Sequence, residues 1–480
     1  MRYLENLEPK SVFMFFEEIC GIPHGSGHTQ ALSDYCQEFA RKRGLSCIQD
    51  EMGNVVIQKP AAPGYEKADT VILQGHLDMV LEQLPGNTRD LKTQGLLLGV
   101  DGDWVHANGT TLGGDDGIAV AYMLALLDND YAHPSLECVF TVDEETGLLG
   151  ADALDASVLK GTRMINLDSE EEGIFTVGCA GGLTGIGTLP VGWIPGQGTL
   201  VTLTVEGLQG GHSGVEIQKQ RGNAIKLLGR LLGRLDRYFS FTVVSMEGGR
   251  VENAIPNQAS VKIAVDPGEA EMLCQEVSSC EEDFRHEFRA SDPQVRISLE
   301  KGDSYEGKVL DPRSLALVLF LLQMIPSGVD RYSMEIPGLV ETSSNLGVIR
   351  LTEEQFQVYH SVRSSIDSQK EYVSDQVRLL LEFFGGEYET QGVYPGWEFQ
   401  KDSKLLQVMK DQYKSLYKKE PTVEAIHAGL ECGIFCSRIE GLECVSIGPS
   451  MQDIHSGKER LSISSVKRVW EFLLAVLEQL

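Results

Sequence analysis

Basic residues are scarce: 41 Lys and Arg stand against 70 Asp and Glu, for a formal charge of −29. A field of that sign repels phosphate backbones and anionic lipid heads, which argues against nucleic acid and membrane partners. No apolar run reaches the ~18 residues that a membrane span needs. The opening stretch MRYLENLEPKSVFMFFEEIC carries acids where a secretory signal needs a basic start and a clean apolar core, so export is not expected. The ten cysteines are scattered. Cys432 and Cys436 lie four apart, but no second close pair or His pair completes a zinc-finger spacing, and buried helix positions are the better reading. Such usage fits a cytoplasmic protein. Other hydrolytic and redox signatures are missing too. GGHSGV has Val215 where a nucleophile elbow needs glycine, HEFRA ends in Ala290 rather than a second histidine, and GSGHTQ lacks the third glycine of a dinucleotide fingerprint. Serine hydrolase, single-zinc protease and nicotinamide enzyme therefore fall back.

What is present is the material of a large core. With 480 residues, 42% apolar and 23% charged, the chain is globular and expected to hold two domains. From Thr70 to Asp168 short β-rich runs (Val71 to Gly75, Leu136 to Val142, Met164 to Leu167) alternate with the apolar helical stretch Ile118 to Leu127, which is α/β punctuation. The Gly-rich passage Gly178 to Gly198 reads as a linker or a pair of turns, with a boundary near 186. Beyond it come the strand TLVTLTVEGL and a helical pattern from Val215 to about Leu235, then strands at Ala259 to Val265 and around Val358 to Ile366, with the helical run Arg313 to Met324 between them. After a turn-rich passage at GVYPGW the tail returns to α/β character, with a strand at Cys444 to Ile447 and a closing helix Ser464 to Leu480. In LLGRLLGRL, Gly229 and Gly233 lie one turn apart and permit close packing, across a subunit interface or within the chain.

Each β-run is followed by polar residues: HLD, DEET and DSEEE. Ligands of open α/β sheets bind beyond the carboxyl ends of strands, so these clusters can converge on one crevice. His76 and Asp78 follow the first strand, and Asp78 would orient His76 through its second ring nitrogen. Asp115 and Asp116 precede an apolar helix, where one can cap it and the other face a cation; Asp115 is assigned to the metal and Asp116 to structure. Glu144 and Glu145 follow the second strand; adjacent acids there are usually solvated, but a pair in which one binds metal and the other handles a proton would explain why two stand side by side. Asp168 follows MINL, and His455 follows CVSI and a GPS turn. Each signal alone is weak; their joint placement at strand ends is what points to a site. Asp115, Glu145 and Asp168 with a bridging hydroxide carry four negative charges, which balance two divalent cations held with His76 and His455. A mixed imidazole and carboxylate set suits zinc, with cobalt or manganese as alternatives. Glu144 would then take a proton from the bridging water and deliver it to a leaving amine.

VILQGHLDMV, TLGGDDGIAVAYMLALL, TVDEETGLLGA, NLDSEEEG, GGHSGVEI and SIGPSMQDIHSGKERLSI, in this order, resemble the M20 metallopeptidases. Within them the resemblance is to the bacterial aminoacyl-histidine (Xaa-His) dipeptidases, a carnosinase-like branch also known as cytosol nonspecific dipeptidases. It runs from FFEEICGIPHGSGH through ENAIP, ETSSNLG, SVRSSIDS and EAIHAGLECGIF to the last helix. It implies that His76 and Asp168 bind one zinc, that Glu145 and His455 bind the other, and that Asp115 bridges. Glu144 would be the general base and Asp78 a support for His76. It also implies a zinc-exopeptidase-like α/β catalytic domain over residues 1–185 and 392–480, with an inserted α+β lid over 186–391 that mediates homodimerisation. His212 of the HSG motif would stabilise the transition state, in several members at the partner's site. Asn253 and Arg363 would contact substrate or oxyanion, and Gly429 and Glu431 would shape the pocket. The tail reads HSGKE where the branch reads HSPDE, which keeps His455 and alters its loop.

The expected activity is hydrolysis of small unblocked dipeptides, Xaa-His included. The alternatives are an M20 deacylase or aminoacylase acting on N-acyl amino acids, which would share every metal ligand, and a catalytically dead scaffold, which would show a lost ligand or base. Every proposed position holds a competent residue.

Overall fold

A computed structural model describes residues 3–480 of the chain. They form two compact units. One takes the chain up to Cys179 with Trp397–Ala425 and Leu430–Leu480; the other takes Ala180–Gly396 and Ile426–Gly429.

The first unit is built on an eight-stranded mixed sheet. At its centre, Leu136–Thr141 pairs in parallel with Val71–His76, Val71–His76 with Arg163–Asn166, and Arg163–Asn166 with Glu443–Ser446. Parallel strands buried on both faces read as continuous apolar runs, and Val71–His76 and Leu136–Thr141 are buried at every position. The outer pairings, Ser46–Gln49 with Val55–Lys59 and Val55–Lys59 with Leu136–Thr141, are antiparallel. Helix Gly114–Asp128 packs on the Val71 strand and is buried from Gly114 to Leu127, as expected of a helix that is apolar all round. A small sheet of Leu98–Asp101, Trp104–Ala107, Arg460–Ser462 and Met451–Gln452 belongs to the same unit. The closing helix runs over Ile463–Gln479. Cys432 is buried in helix Glu431–Arg438, and all ten cysteines are free.

The second unit is a nine-stranded sheet whose paired strands run antiparallel, with helices Ala224–Leu235, Ala270–Glu287, Pro312–Met324 and Asp367–Phe383. The Gly-rich passage expected as a linker is instead the strand Gly181–Pro190 and the start of Trp193–Glu206. The glycines give way to neighbouring rings: a Cβ on Gly185 would collide with Tyr388 of the adjacent strand Glu387–Tyr394. Glycine inside a strand often marks such an approach. Because these strands pair with each other, the unit boundaries fall at Cys179 and Gly396 rather than at 185 and 392, and Gly429 lies in the second unit. The helix expected from Val215 starts only at Ala224, where the Asn223 side chain accepts from the N–H groups of Ile225 and Lys226; the preceding chain makes a short turn over Ile217–Lys219. Gly229 and Gly233 serve packing within the chain, against Leu322 and Gln323. Among the described residues, no helix is long and apolar enough to cross a membrane.

Candidate metal centre

Four adjacent parallel strands end on one edge, and the polar residues after them meet there. His76 closes its strand, Asp78 follows it, Glu144 and Glu145 follow Leu136–Thr141, and Asp168 follows Arg163–Asn166. Asp115 stands at the head of the helix that packs on the Val71 strand, and its peptide to Asp116 is cis. The Asp115 carboxylate divides its oxygens between two imidazoles. Oδ1 is 3.0 Å from His76 Nε2, and Oδ2 is 3.2 Å from His455 Nε2. Asp168 Oδ1 lies 3.4 Å from His76 Nε2, and Glu145 Oε1 lies 2.7 Å from His455 Nε2. Donor atoms of His76, Asp115 and Asp168 fall within 4.8 Å of one another, and so do those of Asp115, Glu145 and His455. A third such group is His76, Glu144 and Glu145.

The electrostatics of the cluster favour added positive charge. Burial pushes the Asp168 carboxyl up to about 7, with the Asp115 and Glu145 charges adding to it and His76 opposing. Burial also raises Asp116 and Glu144, and Asp168 repels both. Burial alone would hold His76 down, but the Asp168, Asp115 and Asp78 carboxylates carry it well above the ordinary histidine value. Hydrogen bonds to Asp115 and Glu145 lift His455 to about 10. Clustered buried carboxylates resist ionising together unless positive charge is supplied.

The ring geometry fits a metal as well. His76 Nδ1 lies 2.9 Å from the Asp78 backbone oxygen, which can only accept, so Nδ1 carries a proton and Nε2 is the nitrogen turned to the carboxylates. That is the tautomer a metal-bound histidine adopts when a backbone carbonyl holds its other nitrogen. The residues present therefore fit a pair of divalent cations.

Two structural assignments change. Asp116 does not cap its helix; it braces the ligand strand, its Oδ2 accepting the His76 backbone N–H at 3.2 Å. A Cβ on Gly75 would strike that carboxylate and Ala119, so the position before His76 is glycine. Asp78 orients His76 chiefly through its carbonyl, its carboxylate being 3.5 Å from Nδ1. The carboxylate instead accepts from Ser26 Oγ at 2.8 Å and from the backbone N–H groups of Glu144 at 3.0 Å and Glu145 at 3.3 Å. Asp78 thus ties the histidine turn to the glutamate turn.

Glu431 is fully enclosed, its Oε2 accepting from Gln74 at 2.5 Å and Thr141 Oγ1 at 2.7 Å, so it braces strand ends instead of walling a pocket. Ser26 and Glu459, in the stretches GIPHGSGH and IHSGKE, also support the site. Neither offers a local signal, because their partners are remote in sequence.

The remaining expected residues lie in the second unit. His212 ends a two-residue strand paired with Ala254–Ile255, and its Nδ1 accepts from the N–H groups of Gly214 at 3.1 Å and Val215 at 3.2 Å, which leaves the proton on Nε2. Burial and the Arg363 charge hold it below the ordinary histidine value. Arg363 Nη1 donates to the Tyr394 hydroxyl at 2.8 Å, and Gly429 leaves room for the same ring. Asn253 is exposed, and its backbone oxygen accepts the Ser213 N–H at 2.9 Å. His427, not anticipated, sits 2.7 Å from Ser343 Oγ and is held down to about 3 by burial and Arg363.

Residues 72–479 match the peptidase family M20/M25/M40. The chain is 36% identical to the cytosol non-specific dipeptidase of Escherichia coli (strain K12), over 100% of this chain and 99% of that one. Its structure matches that of the aminoacylhistidine dipeptidase from Vibrio alginolyticus with a TM-score of 0.94 at 36% identity, covering 99% and 98% of the two chains. A more distant match, to the aminopeptidase PepT from Bacillus cereus ATCC 10987, has a TM-score of 0.57 at 16% identity over 98% and 99% of the chains, and shows the shared fold alone.

Proposed function

Since this chain belongs to peptidase family M20/M25/M40, we propose that it is a metallo-dipeptidase that cleaves unblocked dipeptides, aminoacyl-histidine dipeptides among them. The observation that carries the reading is Asp115, whose two oxygens each face one imidazole, with Asp168 beside the first and Glu145 beside the second. Similarity over the full length to a dipeptidase, and a fold match at 36% identity to an aminoacylhistidine dipeptidase, support the substrate class.

His76 and Asp168 would hold one cation and Glu145 and His455 the other, with one oxygen of Asp115 turned to each pair. The imidazole and carboxylate set favours zinc. When bound, the two cations supply Lewis acidity to the scissile carbonyl and to the attacking water. Glu144 takes the proton from that water and passes it to the departing amine. Its backbone is pinned by Asp78, so its carboxyl is presented from a fixed turn. In the second unit, Arg363 is the group suited to a dipeptide's terminal carboxylate, because a guanidinium can bind both oxygens at once. His212 and Asn253 are assigned to the oxyanion and substrate, and Gly429 to the space beside Tyr394. The second unit is assigned the lid and homodimer contacts, and the protein is placed in the cytoplasm.

Initial rates on β-Ala-His, Leu-Gly, a tripeptide and N-acetyl amino acids test this reading. Preference for the dipeptides is expected; preference for the acetylated substrates would make the protein an M20 deacylase instead.

A further inference from the structure

Glu459 stands just before the strand Arg460–Ser462, which is paired to Trp104–Ala107 on one side and to Met451–Gln452 on the other. Its backbone is therefore fixed by a sheet rather than by a free loop. The side chain is 3% exposed, and both carboxylate oxygens are engaged. Oε2 accepts from the backbone N–H groups of Leu112 at 2.6 Å and Gly113 at 3.1 Å, and Oε1 accepts from Gly114 at 2.7 Å. These three consecutive N–H groups lead into helix Gly114–Asp128 and directly precede Asp115. Of the three, only the Gly114 N–H belongs to the helix, and those of Leu112 and Gly113 belong to the turn before it; a carboxylate from the far end of the chain satisfies all three.

The same residue closes the turn that carries His455. The Glu459 N–H donates to the Ser456 carbonyl at 3.1 Å, the Lys458 N–H to Ser456 Oγ at 3.2 Å, and Ser456 Oγ to the Asp453 carbonyl at 2.6 Å. Within that turn Asp453 and His455 both adopt left-handed backbone, with φ of 52° and 56°. Residues other than glycine hold such conformations only where their surroundings impose them. His455 is also the least enclosed of the five ligand residues, with 44% of its side chain exposed. His76 and Asp168, by contrast, are held on the ends of buried central strands.

We infer that Glu459 is a positioning residue that docks the His455 turn onto the Asp115 turn and so aligns the second of the two cation sites. The inference rests on the two-cation reading above. It follows that the two sites differ in what holds them. The His76 and Asp168 site depends on the sheet, whereas the Glu145 and His455 site depends on this carboxylate. Losing the carboxylate should therefore loosen the second cation more than the first, which shares Asp115 but is also held by His76 and Asp168.

The test is titration of metal-free wild-type protein and of Glu459→Gln, Glu459→Ala and Glu459→Asp with Co2+, followed by calorimetry and by visible absorption, with melting of each metal-free protein alongside. Wild type should take up two equivalents. Gln and Ala should weaken one equivalent by about 10–100-fold, the range usual for outer partners of metal ligands, and the other by clearly less. Asp, shorter by one methylene, should fall between. The near-isosteric Gln keeps the volume of the side chain should Ala prove unable to fold. Unchanged uptake of both equivalents would overturn the inference. So would equal weakening of both in step with a lower metal-free melting temperature, since that is a general loss of structure. Failure of the two-cation reading itself would look different, because wild type would then bind no pair of cations.

Discussion

Asp115 and His455 stand 340 residues apart in the chain, yet Asp115 Oδ2 and His455 Nε2 lie 3.2 Å from each other, while Asp115 Oδ1 reaches His76 at 3.0 Å. One carboxylate thus spans two half-sites, and removing it should empty both. Asp115→Ala is expected to lower the affinity for both cations by at least about 100-fold, the upper end of what outer partners cost, and to abolish turnover. Equilibrium dialysis with metal analysis checks this; retention of both ions would show that Asp115 does not bridge.

For Glu144 the proposed role is that of proton carrier, not ligand. Glu144→Gln keeps the side-chain shape and the backbone hydrogen bond to Asp78. It should bind the same two equivalents of metal while kcat drops by about 10²–10⁴-fold, the usual span for a lost acid–base group. Metal content and steady-state kinetics on the same sample decide between this and a ligand role, in which metal would be lost as well.

Asp78 joins turns that the sequence separates. Replacing it by alanine leaves the Glu144 and Glu145 N–H groups and the Ser26 hydroxyl without their acceptor. A cost of about 1 kcal/mol or somewhat more is expected, since the donors left unpaired are only part-buried, with metal affinity falling about 10–100-fold. Denaturant melts of metal-free protein and metal titration measure the two effects separately. No change in either would remove Asp78 from this role.

The raised groups set a pH dependence for the metal-free protein. Burial holds Asp168 and Glu431 at about 7, and the carboxylates around His455 hold it at about 10. Each binds its proton more tightly when folded than when unfolded, so its contribution is fully present at low pH and is lost as pH rises through the folded value. Metal-free protein should therefore lose stability between about pH 4 and 7 from the two carboxyls and between about 6.5 and 10 from His455. Asp115 and Asp78, both lowered, act in the opposite sense, but only below about pH 4. Cations bind the deprotonated carboxylates and neutral imidazoles, so the gain in melting temperature on adding Zn2+ should widen from pH 5 to pH 8. A gain that shrinks over that range would contradict the assignment of Asp168 and His455 as ligands.

How much of this could be read in advance follows from which interactions are local. Strands betray themselves by runs such as VILQGH and LECVFT, and each is followed by its acids, so the convergence of His76, Glu145 and Asp168 was legible. The order of strands in the sheet was not, because pairing Glu443–Ser446 with Arg163–Asn166 is a long-range choice. Gly178 to Gly198 misled because glycine marks both turns and strands crowded by neighbouring rings, and only the position of Tyr388 distinguishes them. Asp116 looked like a helix cap, yet its partner is the backbone of a strand far back in sequence. Ser26 and Glu459 carry no local pattern, because their roles come from acceptors and donors elsewhere in the chain.

The most direct check is anomalous X-ray diffraction from zinc-loaded crystals, recorded at the zinc edge, with hydrolysis of a dipeptide by the same preparation. Two peaks per chain are expected, one beside each oxygen of Asp115, the first touching His76 and Asp168 and the second Glu145 and His455. Full dipeptide turnover by protein with no anomalous density among these five side chains would contradict the account.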